Sequence, residues 1–207
     1  SGSKGIAISD DGEVLVISAP DESSPAPSGN FSYNQSGAVY VYKKKSGMNL
    51  YEYDQVIKDT NPTGGHWFGA CVAISGDKST LVIGAGQYYA GIYCSIYTQS
   101  GPGNTYSFEQ KFSSEPVGKV LTISHDGNTF AAGNYNASPG GNVIVWQRNS
   151  GTTTWTSQTL THSDTERGDL FGTALKISGD GNTLVIGAYG EDGDSINDGS
   201  QVGYYSG

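Results

Sequence analysis

The sequence predicts an all-β chain built from four copies of one sheet-forming repeat of roughly fifty residues. Self-similarity is the first observation. Gly69 to Ala85 recurs almost letter for letter as Gly172 to Ala188, and the same frame fits Ile6 to Ala19 and Leu121 to Asn134. Apolar residues alternating within each copy are the second, a period of two that belongs to strands. Composition is the third: 31 glycines and 14 tyrosines stand beside a single methionine, and no stretch carries helical periodicity. A serine common to the copies falls at Ser9, Ser75, Ser124 and Ser178. The longer first interval is explained by a Ser/Pro-rich insertion from Asp21 to Ser36. The repeats then run over 1–58, 59–112, 113–160 and 161–207, within a single domain.

Each copy reads as four strands. The first alternates, as in Val72/Ile74 and Leu175/Ile177. A tight turn follows at Asp10-Asp11-Gly12, Gly76-Asp77-Lys78, His125-Asp126-Gly127 and Gly179-Asp180-Gly181, where Asp and Gly tolerate positive φ. The second strand is a short apolar run (Val14 to Ile17, Leu81 to Ile83, Phe130 to Ala132, Leu184 to Ile186), the pattern of a strand buried on both faces. After a variable polar loop the third strand is rich in aromatics: Tyr40, Tyr42, Tyr93, Tyr97, Trp146, Tyr204 and Tyr205. A glycine-containing hairpin leads to the fourth, which repeats a glutamine and an apolar partner at Gln55/Ile57, Gln110/Phe112 and Gln158/Leu160.

Four-stranded units that are apolar on both faces cannot bury themselves and must stack on one another. The expected architecture is a β-propeller-like array of four antiparallel four-stranded blades, with a sandwich or barrel as the alternative. The last blade lacks its fourth strand, so fifteen strands are expected and one sheet edge stands open. Either a larger ring or another chain would complete it; identical chains doing so head to tail would propagate into a filament.

Two short elements recur with this frame. Phe68-Gly69 and Phe171-Gly172 precede the first strand; Ser18-Ala19-Pro20, Gly84-Ala85-Gly86 and Gly187-Ala188-Tyr189 close the second. In this the chain resembles the FG-GAP repeat family, the blade unit of integrin α-subunit propellers and of many secreted bacterial and protist proteins. The third copy departs from the pattern, with Val117-Gly118 and Gly133-Asn134 in those places. The resemblance implies a propeller at the cell surface or outside the cell, serving adhesion, recognition or scaffolding. It also implies calcium loops between first and second strands, but these turns are too short and too poor in carboxylates for an ion that takes six to eight oxygens.

The remaining chemistry is sparse. A formal charge of −9 and a pI near 4.6 argue against nucleic acid as partner, and Lys43-Lys44-Lys45 reads as a solvated hairpin end. No apolar stretch approaches the ~20 residues of a membrane span. No charged-then-apolar leader precedes the first repeat, so the chain is expected to be cytosolic or already processed. The acid-rich loop Glu191 to Asp198 offers Asp192, Asp194, Asn197 and Asp198 as oxygen ligands for Ca²⁺, against the plainer reading of a solvated turn. His66, His125 and His162 are scattered, no nucleophile elbow is present, and neither catalysis nor an organic cofactor is expected. Cys71 and Cys94 fall on strands one and three of one blade, about 9–10 Å apart, too far for a bridge. Acceptors for N-glycosylation stand at Asn30, Asn34 and Asn136, all in loops between second and third strands. The third-strand aromatics are read as packing between blades, with a carbohydrate-binding surface as the alternative. The function expected is a non-enzymatic extracellular structural or adhesion module that self-associates or binds other extracellular proteins. The competing reading is a monomeric module recognising a glycan or protein on its loop face.

Overall fold

The computed structural model describes residues 5–23, 34–62, 64–87, 90–101, 104–113, 119–163 and 167–190. Fourteen strands and no helix occur among them. The first sheet orders β1 (Ile6–Ile8), β2 (Val14–Ala19), β3 (Ala38–Lys44) and β4 (Tyr51–Ile57). The second orders β5 (Cys71–Ile74), β6 (Thr80–Gln87), β7 (Ala90–Thr98) and β8 (Ser107–Phe112). The third orders β9 (Val120–Ile123), β10 (Thr129–Asn134), β11 (Asn142–Arg148) and β12 (Trp155–Leu160). In the fourth, β13 (Phe171–Ile177) pairs β14 (Leu184–Ala188), and the expected strand at 202–205 lies outside the described residues. Every pairing within the sheets is antiparallel, so each sheet is a simple meander.

The sheets pack in chain order with a consistent polarity. Each has a leading face, turned toward the sheet before it, and a trailing face turned toward the next. Small and β-branched residues of the first sheet's trailing face (Val14, Val16, Val39, Val41) bury against larger ones on the second sheet's leading face (Leu81, Ile83, Tyr93, Tyr97). Cys71, Ala73, Val82 and Cys94 on the second sheet's trailing face bury against Leu121, Phe130, Ile144 and Trp146 of the third. The third meets the fourth where the Ile177 amide donates to Thr122 Oγ1 at 3.1 Å. The second strands differ from the expectation of burial on both faces in a telling way. β10 is buried throughout, whereas β2 alternates and Val185 of β14 is 66% exposed, because the first and fourth sheets are covered on one face only.

Register also settles the thiols. Cys71 pairs with Gly84 and Gly84 with Cys94, so one strand separates them, and both are free and buried. Burial pushes the Cys94 thiol far above its ordinary value.

Candidate functional site

Three devices tie the sheets, and one surface is left over. The Phe-Gly pair is the first device. Phe68 forms a parallel bridge with Gly37, and Phe171 with Gly141, the residue before the third strand of the preceding sheet in each case. The Phe68 amide donates to the Ser36 carbonyl at 3.1 Å and the Phe171 amide to Gly140 at 2.8 Å. A Cβ on Gly37 would lie 2.1 Å from the Phe68 carbonyl oxygen, and one on Gly141 2.3 Å from that of Phe171. Only glycine lets the two backbones meet. Trp67 (φ 48°) and Leu170 (φ 57°), just before each phenylalanine, sit in left-handed backbone that bulky residues rarely adopt.

The second device is a serine–aspartate lock in every first turn. Ser9, Ser75, Ser124 and Ser178 donate to Asp11, Asp77, Asp126 and Asp180 at 2.5–2.7 Å. Each serine Oγ also accepts the amide five residues on, and each carboxylate accepts the amide two residues on. At Asp11 burial opposes ionisation, but the bonds from Lys78, the Glu13 amide and Ser9 outweigh it and hold the carboxyl at about 2. Lys78 (φ 69°) occupies the left-handed position that is glycine in the other three turns, and its ammonium pairs with Asp11 of the neighbouring turn. His125 reaches further: its Nδ1 lies 2.6 Å from Asp10 Oδ2, across Gly76, where a Cβ would strike both groups. The hydrogen bond to Asp10 raises the His125 pKa, and the charges of Asp10, Asp77 and Asp126 add to it.

These turns do not fit calcium. Each carboxylate spends an oxygen on its own serine and backbone, one or two acids per turn fall short of a cation's oxygen shell, and no described group of His, Cys, Asp and Glu converges as metal ligands.

The third device is polar. Asp59, with a side chain 2% exposed, accepts the Tyr93 hydroxyl and lies 3.5 Å from Lys111 Nζ and 3.7 Å from His66 Nδ1. Lys111 stands 3.5 Å over the Tyr93 ring. Burial first, then the bond to Asp59 and its charge, drive the Tyr93 pKa strongly upward, so the phenol keeps its proton and supplies no nucleophile. Nearby, the Gln55 amide donates to the Tyr106 carbonyl and accepts its amide, both at 2.8 Å, which gives the recurrent glutamine its role in this copy.

What remains is the leading face of the first sheet. Two rows cross it: Ile6, Ile17, Tyr40 and Val56, then Ile8, Leu15, Tyr42 and Tyr53. Ile6 is 54% exposed, Ile8 53% and Tyr53 58%, and none of the eight is fully buried. Tyr42 meets Tyr53 edge-on, at 6.1 Å between centroids, beside a bulge at Asp54. Tyr40 and Tyr42 therefore lie on an open face, whereas Tyr93 and Tyr97 are packed between sheets and Trp146 stacks on Phe130.

Of the residues singled out from sequence, Asp192, Asp194, Asn197, Asp198 and Asn30 lie outside the described residues, as do Tyr204 and Tyr205. Asn34 and Asn136 are exposed in loops. Sequence reasoning passed over the serine–aspartate lock, although a constant Ser-x-Asp in all four copies was there to be read.

Fold and sheet plan define a β-propeller-like array. The FG-GAP repeat family matches residues 155–202, a frame that takes β12 together with β13, β14 and the residues beyond, so the chain carries an FG-GAP repeat there. No curated protein matches the sequence. A protein described as a 6-phosphogluconolactonase from Bacteroides uniformis superposes with a TM-score of 0.52 at 15% identity, covering 77% of this chain and 41% of that one. Its counterpart from Bacteroides fragilis gives 0.52 at 12% identity, with 75% and 38% covered. Sqt1 of Saccharomyces cerevisiae gives 0.50 at 11% identity, with 81% and 37% covered. The chain thus spans about two fifths of the length of these structures, and the likeness is one of fold.

Proposed function

We propose that this chain is a non-enzymatic structural or adhesion module of the cell surface or extracellular space, which self-associates head to tail. The observation that supports this reading is the open leading face of the first sheet, eight large apolar side chains that monomeric soluble proteins rarely leave uncovered. The extracellular setting draws support from the FG-GAP repeat, typical of such proteins, and from the exposed acceptors Asn34 and Asn136. The polar groups that would serve catalysis are engaged in holding turns and sheets together.

Sedimentation velocity of the purified chain over a concentration series tests the reading. Mass rising with concentration is expected. A monomer at every concentration overturns self-association, and selective capture by a glycan array of that monomer would favour the binding-module alternative.

A further inference from the structure

We infer that the leading face of the first sheet is the docking surface for the trailing face of the fourth sheet in a second copy of this chain. The inference rests on the self-association proposed above and names the two surfaces that carry it.

The argument is one of equivalence between repeats. Aligned on the common serine, Ile6 and Ile8 of β1 occupy the positions of Val72 and Ile74 in β5, and Leu15 and Ile17 those of Leu81 and Ile83. In the second sheet those four residues are buried against the first sheet's trailing face. In the first sheet the same positions are exposed or half-exposed, with Ile6 and Ile8 more than half open. The surface is therefore shaped for a trailing face of the same sheet plan.

The fourth sheet presents such a face. Ile177 is buried on its leading side, while Ala174, Lys176 and Val185 point the other way and are exposed. Their equivalents in the second sheet, Cys71, Ala73 and Val82, are buried in the joint with the third. Throughout the array, trailing faces are small or β-branched and leading faces are large, so each joint sets small residues against large ones. The two open surfaces obey the same rule: isoleucine, leucine and tyrosine on one, alanine, valine and the bare Gly187 on the other. Lys176 stands where Ala73 and Thr122 stand in the inner sheets, and its aliphatic stem can lie on the isoleucines while its ammonium stays in water. The contact joins different surfaces of the two copies, so it leaves a free face at each end and propagates.

The test uses Ile8→Asp and Val185→Asp, each at an exposed position, with circular dichroism to verify the fold. Each variant alone is expected to associate about a hundredfold more weakly than the parent chain, because a buried carboxylate would find no partner. Mixed, they should restore one contact and stop there: intact trailing face of Ile8→Asp on intact leading face of Val185→Asp, a dimer that grows no further. If the parent chain assembles and neither variant weakens it, the face assignment is overturned while self-association stands. If the parent chain is monomeric, both fall. A mixture no different from the separate variants also overturns the pairing.

Discussion

The Phe-Gly joint can be tested at a single hydrogen atom. Gly37 has φ +86°, and a Cβ there would stand 2.1 Å from the Phe68 carbonyl oxygen and 2.5 Å from its amide nitrogen. An alanine must move the backbone of the next sheet or abandon its own conformation. Left-handed backbone costs a residue with a Cβ about 1–2 kcal/mol. Overpacking against a neighbour that cannot yield adds about 1–3 kcal/mol. The Phe68 amide bond to Ser36 contributes about 1 kcal/mol more if it breaks. Restricting the unfolded chain returns about 0.4–1 kcal/mol. Gly37→Ala should therefore lose about 2–5 kcal/mol. Gly47→Ala is the control, since Gly47 has nearly the same φ of +73° but nothing within 4 Å of the added carbon, and should lose about 1 kcal/mol or less. Urea unfolding followed by tryptophan fluorescence and circular dichroism reads both, with the dependence on denaturant checked for constancy because stacked sheets can unfold one at a time. Equal losses in the two variants would refute the claim that close approach of sheets, rather than turn geometry, fixes this glycine.

The turn locks predict that Ser75→Ala, which strands the buried Thr80 amide, destabilises by about 1–3 kcal/mol, whereas Ser178→Ala in an exposed turn costs less; urea midpoints compare them. Asp11 has a carboxyl held at about 2 against 3.8, and a depressed folded-state pKa adds stability above pH 4 that fades as pH falls toward 2. Because that carboxylate is 44% exposed, screening limits the gain to under about 1 kcal/mol, and Asp11→Asn should flatten the acid limb of the stability curve by no more than that. For His125 the sign reverses: its raised pKa favours the folded state below pH 6.5, and the benefit goes as pH rises through the folded-state value. NMR titration of the ring should give a pKa above 6.5 that falls in Asp10→Asn; an unchanged value would deny the contact across Gly76. Cys71 and Cys94 should ignore thiol reagents in the native chain and both react once it is unfolded, with reductant leaving the native stability unchanged.

The sheet plan was legible because it is written locally. Val72 and Ile74 alternate, the turn residues sit between two runs, and the pattern repeats, so hydrogen-bonded neighbours are also neighbours in sequence. Contacts between sheets have no such local signature. His125 and Asp10 are 115 residues apart, and their meeting depends on which turns converge once the sheets have stacked. Asp59, Tyr93, His66 and Lys111 come from four separate segments, and nothing near any one of them announces the others. The bulges at Asp54 and Glu109 were invisible for a related reason. Each follows from one extra residue opposite the third strand, which frees its carboxylate to reach Lys43 in one sheet and Arg148 of the next sheet in the other. The Phe-Gly motif was visible as a motif, but its partners, Gly37 and Gly141, carry meaning only in three dimensions.

The joint between second and third sheets explains how one copy can lose the motif and the array still hold. The third copy carries Val117-Gly118 where its neighbours carry Phe-Gly, and Ile92 stands at the position of Gly37 and Gly141. What holds this joint lies farther along the sheets. Phe130 stacks on Trp146 at 4.8 Å and 8°, with Phe112 and Trp155 edge-on to it at 5.5 and 5.1 Å. Arg148 lies 4.4 Å over Trp155 and grips both oxygens of Glu109 at 2.8 and 3.0 Å, joining β11 to β8. In the first joint the positions of Phe130 and Trp146 are Leu81 and Tyr97. Each aromatic pair adds about 0.5–1.5 kcal/mol beyond the area it buries, enough to offset a backbone clamp worth a few hydrogen bonds. A repeat whose sheets meet over whole faces can therefore exchange one fastening for another without changing the stacking. Such tolerance follows only if the fastenings act on faces that already fit, and the same fit, small against large, is what the two outward faces still offer.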